Sequence, residues 1–205
     1  MTPEQRQELE AQVREAAEEL RFDDAATRAL RGYGPELLGF LVGAARDDDL
    51  ALDAFSMFSE DLWRGLEGFQ WRASLRTWSY TLARRALYRA RKARGRGPAV
   101  DPLSSEAYNN LAERIRTQTI TILRTEVRSG VAALRQELSV DEQVLLTLRV
   151  DRQMSWREIA WISEDASEDT TEEELKRLVA ALRKRFERTK TRLRALALKR
   201  GIRPE

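Results

Sequence analysis

Phe69 and Trp71 stand two residues apart in the segment Gly65-Leu66-Glu67-Gly68-Phe69-Gln70-Trp71-Arg72-Ala73, and an arginine-rich helix follows them. Rings beside cations suit an unpaired nucleic-acid strand, because bases stack on rings while phosphates meet Arg. Arg72, Arg76, Arg85 and Arg89 are the candidate cations. Between Arg84 and Arg96 there are seven bases and no acid, and Arg85, Arg89, Lys92 and Arg96 recur at i, i+4, i+7 and i+11, which makes one basic ridge. Phe69 and Trp71 read equally as base-stacking rings or as core. Trp63 and Trp78, at helical spacing from Leu62 and Leu75, read as core.

A second cationic group lies about 80 residues further on. From Lys176 to Arg203 there are twelve bases against one acid, Glu187. A helix has the right width for the major groove, where Arg reads guanine with two hydrogen bonds. Arg183, Lys184, Arg185, Arg188 and Arg192 are the candidate DNA contacts, with Arg183 and Lys184 expected at base edges and Arg188 and Arg192 at phosphates. The short helix Trp156–Ser163 before it completes a helix-turn-helix pattern, which a plain packing hairpin also satisfies. Residues 163–174 hold seven acids and no base. The acidic segment Glu164–Glu174 is expected either to hold the basic helix off DNA or to cap it.

Composition narrows the chemistry. The 205 residues include no His and no Cys, which excludes disulfides, thiolate metal sites, a Cys nucleophile and His acid–base catalysis. Paired carboxylates such as Asp48 and Asp49 fall in a solvated loop, so no catalytic residue, metal or cofactor is expected, and the chain is read as a non-enzyme. The net charge of +2 is nearly balanced, so the clustering of charge carries the argument for a polyanion, not its total. No apolar run reaches the roughly 18 residues that span a bilayer, and the polar, acidic start is unlike a targeting peptide, so a cytoplasmic protein without a membrane partner is expected.

The elements that must position these residues read as helices throughout. The expected fold is all-α, with two small helical domains joined by a linker. Leu9, Val13, Ala16, Ala17 and Leu20 give a thin stripe to an N-terminal helical extension over 1–24. A helix over about Asp24–Arg31 is expected to break at Gly32-Tyr33-Gly34-Pro35 and restart at Glu36–Ala45. In the helix from Leu50, Ala51, Phe55, Phe58 and Leu62 share one face, which turns Asp53, Ser56, Met57 and Glu60 outward. Ser74 caps a helix whose Leu75, Trp78, Leu82 and Ala86 face the core. Gly95–Pro102 is the clearest breaker cluster, and the expected domains are 25–96 and 125–205 with a polar linker over 97–124. Capping boxes at Ser139-x-x-Glu142, Ser155-x-x-Glu158 and Thr171-x-x-Glu174 open the later helices.

Two stretches together resemble bacterial sigma factors. Tyr33-Gly34-Pro35-Glu36-Leu37-Leu38, Asp53 through Trp63 and Ser74-Leu75-Arg76-Thr77-Trp78-Ser79-Tyr80-Thr81-Leu82-Ala83-Arg84 resemble their second conserved region. Leu138-Ser139-Val140-Asp141-Glu142-Gln143 and Met154-Ser155-Trp156-Arg157-Glu158-Ile159-Ala160 resemble their fourth, with Leu182–Arg194 similar to its recognition helix. Two regions joined by one short linker is the layout of the extracytoplasmic-function (ECF) group. The resemblance implies a protein that binds core RNA polymerase through Asp53, Ser56, Met57 and Glu60, opens the minus-ten element with the first region and reads the minus-thirty-five element with the second. Ser56 and Met57 replace the usual Gln and Glu of the polymerase-clamp motif, and Arg85 replaces the usual Asn. The family also implies an anti-sigma factor as a further partner for many members. A helix-turn-helix regulator acting without polymerase and an all-helical adaptor are the competing readings; the regulator has no need of the Phe69/Trp71 loop, and the adaptor none of nucleic acid.

Overall fold

The computed structural model describes residues 1–93, 105–126, 134–135, 137–163, 166 and 170–200. The breaker cluster Gly95–Pro102, Arg96 of the basic ridge, the expected start of the second body near Val131 and much of the acidic segment lie outside the described residues. All regular structure among the described residues is helical, and no described helix is long and apolar enough to cross a membrane. The chain divides into two units, Met1–Leu123 and Arg124–Glu205.

The first unit is built on α2, Phe22–Ala45, which packs with α1 (Pro3–Glu18), α3 (Asp48–Gly65) and α4 (Leu75–Ala93). The expected break at Gly32–Pro35 does not occur: α2 runs unbroken through Pro35. An interior proline removes a backbone hydrogen bond and clashes with the preceding turn, at about 3 kcal/mol. Leu30, Tyr33, Leu37, Leu38, Phe40 and Leu41 are all buried on this helix, and each such side chain contributes about 1.5–3 kcal/mol. Burial therefore outweighs the proline. The two glycines serve close approach. A Cβ on Gly32 would collide with Leu9 of α1, and one on Gly34 would lie 2.8 Å from Ile115 Cδ1.

Both of those neighbours come from segments that the sequence placed outside the domain. Val13, Ala16 and Ala17 of α1 are buried, while Leu20 is 75% exposed with a left-handed φ of 58°, so it leaves the expected stripe as the chain turns into α2. The helix α5, Glu106–Glu126, buries Tyr108 and Ile115 in the same unit. The Tyr108 hydroxyl donates to the Ser59 carbonyl at 2.8 Å, and its ring meets Trp63 edge-on at 4.6 Å. Burial pushes the Tyr108 hydroxyl pKa well up, so it stays a neutral donor.

The second unit contains α6 (Val140–Leu146), a π-helical turn over Thr147–Asp151, α7 (Trp156–Ile162) and the 28-residue α8 (Glu172–Lys199). Capping boxes at Ser139/Glu142, Ser155/Glu158 and Thr171/Glu174 open α6, α7 and α8. Its core is Leu138, Val144, Leu145, Leu148, Met154, Ile159, Ile162, Leu175, Leu182 and Phe186. Leu178, Leu193 and Leu196 of α8 are only half-buried.

Candidate nucleic-acid interface

In the first unit the loop between α3 and α4 is fixed at its α4 end. Ser74 Oγ accepts from the Thr77 amide at 3.1 Å, and Glu10 of α1 takes two further amides at the start of α4, Leu75 N at 3.2 Å and Arg76 N at 3.1 Å. Four amides at a helix start lack partners within the helix, so Glu10 supplies from another helix what the loop cannot. Tyr33 donates its hydroxyl to Glu10 at 3.0 Å. Burial, with the Glu10 carboxylate beside it, pushes the Tyr33 pKa far up and keeps it a donor.

On this frame Phe69, Trp71 and Trp78 form one half-buried cluster. Phe69 lies stacked on Trp78 at 4.5 Å between ring centres with 18° between planes, and meets Trp71 at 4.8 Å. Trp78 is thus part of the surface cluster and not of the core in which its helical register had placed it. Its ring also packs over Gly65, where a Cβ would lie 3.0 Å from Trp78 Cζ2. Trp71 has φ 58°, a region in which a bulky residue is an outlier, and such strain at a loop tip points to function. The Arg14 guanidinium lies over the Trp71 ring, 5.7 Å from its centre.

The cations expected beside the rings divide. Arg72 and Arg85 are exposed. Arg89 is exposed and paired with Asp61 of α3. Arg76 does not reach the surface. Its side chain is 7% exposed and forms an ion pair with Glu36 of α2, which also accepts the Tyr80 hydroxyl at 2.8 Å. The physical reason is register: Arg76 falls on the α4 face that meets α2, where a buried cation needs a carboxylate. On α3, Leu50, Ala51, Ala54, Phe55, Phe58, Ser59 and Leu62 are buried. Asp53, Ser56, Met57 and Glu60 are half-buried; Ser56 donates to the Leu52 carbonyl at 3.1 Å, and Glu60 pairs with Arg64 at 2.8 Å.

In the second unit α8 turns only part of its charge outward. Arg185 pairs with Asp141 at 3.2 Å and Arg192 with Glu142 at 2.9 Å, so both reach back to α6. Burial tends to raise the Glu142 pKa, but the Ser139 amide and hydroxyl and the Arg192 guanidinium outweigh it and hold the carboxyl below its ordinary value. Arg183 lies over the Trp156 ring at 5.9 Å, with Arg149 over the same indole at 4.9 Å. Lys184 and Arg188 are exposed and form no ion pair among the described residues. Exposed Arg177, seven residues before Lys184, shares their side of the helix, a heptad signal that the sequence reading passed over. Of the acids in the first turn of α8, Glu174 closes the capping box with Thr171, and Glu172 pairs with Arg157 of α7 at 2.8 Å.

Residues 29–97 match the family model for Sigma-70 region 2. The match supports a sigma factor of the sigma-70 family, with a role in RNA polymerase binding and promoter melting. No curated protein and no solved structure matches the chain.

The region 2 match begins within α2 and takes in α3, the aromatic loop and α4. It nearly coincides with the 25–96 stretch on which the sequence resemblance rests. Glu10 and Arg14 lie before it, yet they hold its α4 start and its Trp71 ring. Sequence reasoning missed both, because nothing in a polar amphipathic helix says which distant amides its carboxylate will meet. Glu36 was equally hidden: it stands in the resembling motif, but its role as partner of Arg76 and Tyr80 appears only when α2 and α4 are packed.

Proposed function

We propose that this protein is a sigma factor of the ECF layout that directs core RNA polymerase to promoters. The carrying observation is the Sigma-70 region 2 match over residues 29–97, which encloses the strained, arginine-flanked cluster of Phe69, Trp71 and Trp78 at the head of a basic helix. In this reading the outward side of α3, with Asp53, Ser56, Met57 and Glu60, meets core polymerase. Trp71 and Phe69 hold an unpaired base of the minus-ten element, Arg72 and Arg85 attract its phosphates, Arg89 ties α4 to Asp61 of α3, and Arg76 holds α4 in place from inside. The second unit binds duplex DNA at the minus-thirty-five element through α8. Arg183 and Lys184 approach base edges, Arg188 meets phosphate, and Arg185 and Arg192 fasten the helix to α6. The protein works in the cytoplasm, is not itself an enzyme, and is open to an anti-sigma partner.

In vitro transcription with core polymerase on a pool of promoters tests the reading. Discrete start sites that depend on the added protein are expected, and a well-folded Asp53→Arg variant should lose both these products and polymerase capture in a pull-down. Duplex binding by the protein alone, with no polymerase-dependent transcript, would favour the regulator instead.

A further inference from the structure

Trp71 is the terminal ring of the aromatic cluster. Phe69 touches both indoles, so its surface is largely taken within the cluster. Trp71 touches Phe69 on one side and carries the Arg14 guanidinium over its ring. An incoming base and Arg14 therefore compete for the same indole. Arg14 is held weakly where it is. Among the described residues its one ion pair is with Glu18, one turn further along α1, at 2.9 Å, with both side chains more than half exposed, and exposed pairs of this kind hold a side chain only weakly. Its own helix, by contrast, is anchored: Glu10, one turn earlier, is bonded to Tyr33 and to the first amides of α4. The backbone from which Arg14 reaches is thus fixed relative to the loop, while the guanidinium can move. A cation released beside a stacked base lies within a side chain's length of that nucleotide's phosphates.

We propose that Arg14 belongs to the single-strand DNA site, giving up the Trp71 ring to an unpaired base and turning to a backbone phosphate of the same strand. This inference rests on the reading of the loop as a single-strand site and extends it to α1, outside the matched segment. Glu10 acts as the positioning residue that holds α1 against the loop.

The test uses the full-length protein bound to core polymerase and a fluorescein-labelled pool of random single-stranded 15-mer DNA, with affinity measured against salt. Arg14→Gln should weaken binding and lower the slope of log affinity against log salt by about 0.7, the value for one phosphate on a single strand. Arg14→Lys should restore the slope, since an ammonium also pairs with phosphate. An Arg14→Gln protein that binds with unchanged slope, or more tightly, would overturn the proposal, because Arg14 would then merely cover the ring. Failure of Arg14→Lys to restore the slope would overturn it as well. Trp71→Ala, run in parallel, separates the two levels. If it leaves affinity unchanged, the single-strand reading of the loop falls and the inference with it. If it weakens binding while Arg14→Gln is silent, the inference alone falls. Circular dichroism melting of each variant excludes loss of fold as the cause.

Discussion

The two units are held together by different forces. The first buries six aromatic side chains almost completely, Tyr33, Phe40, Phe55, Phe58, Tyr80 and Tyr108, and every one of the largest fully buried side chains among the described residues lies in it. The second closes a core of mostly aliphatic residues with ion pairs between elements: Arg185 to Asp141, Arg192 to Glu142, Arg157 to Glu172, Arg135 to Asp151 and Arg200 to Glu137. Exposed ion pairs weaken as added salt screens them, the Debye length being about 10 Å at 0.1 M, whereas apolar burial is not weakened by that screening. A loop that must present a ring in a strained conformation sits on the first kind of frame. The helix proposed to meet duplex DNA sits on the second, where Arg185 and Arg192 of that helix take part in holding the fold while Lys184 and Arg188 are left exposed.

The largest expected effect breaks the core of the first unit alone. Phe55→Ala should destabilise it by about 3–5 kcal/mol, as large-to-small changes of buried aromatics do. Hydrogen exchange on the full chain should then show lost protection within residues 1–123 and retained protection over α6 to α8. Loss of protection in both would mean that the units unfold as one and would undo the comparison. Next in size is the ring itself. Trp71→Ala should reduce binding of unpaired DNA by about 1–3 kcal/mol, measured as transcription from a duplex promoter and from a template with a pre-melted bubble. Impairment on both templates means that Trp71 holds the base, and impairment on the duplex alone means that it drives opening. A response on neither would return Phe69 and Trp71 to a purely structural role.

A third comparison separates cations inside the second unit. Arg188→Ala should weaken binding to all duplex sequences alike and reduce the salt slope by about one unit. Arg192→Ala should leave the slope nearly unchanged and lower the melting temperature, because its partner is Glu142 and not phosphate. Equal slopes lost in both would show that the ion pair opens on DNA. The smallest effect is acid sensitivity. Glu142 is held below its ordinary value of 4.5 in the folded chain, so its stabilising contribution is complete above that value and is lost as pH falls through the lower, folded one. A partly exposed pair of this kind is worth about 0.2–1 kcal/mol. Thermal melts at pH 7 and pH 3 should therefore differ less for Glu142→Gln than for the parent chain, and an equal difference would remove Glu142 from the account.

The all-helical class, the inward face of α3 and the capping boxes were legible because each is a local pattern, set by a 3.6-residue period or by a side chain three residues from the amide it meets. The aromatic loop with its following basic helix was legible for the same reason. What pattern could not decide is where local rules compete with packing. Gly32 and Gly34 look like breakers in the chain, but they are notches for Leu9 and Ile115, and Pro35 is carried inside a helix by the side chains that its two halves bury together. Arg76, Arg89, Arg185 and Arg192 are equivalent to their neighbours by composition. Only the packing of α2, α3, α4 and α6 against their helices brings Glu36, Asp61, Asp141 and Glu142 within reach and so assigns those four charges to the fold. Sequence by itself determined which residues are cationic or aromatic and which helix carries them. Tertiary structure decided which of them are taken up in the fold and which stay at the surface, because an ion pair or a ring contact depends on distances of a few ångströms between residues far apart in the chain, and no spacing along the chain specifies those distances.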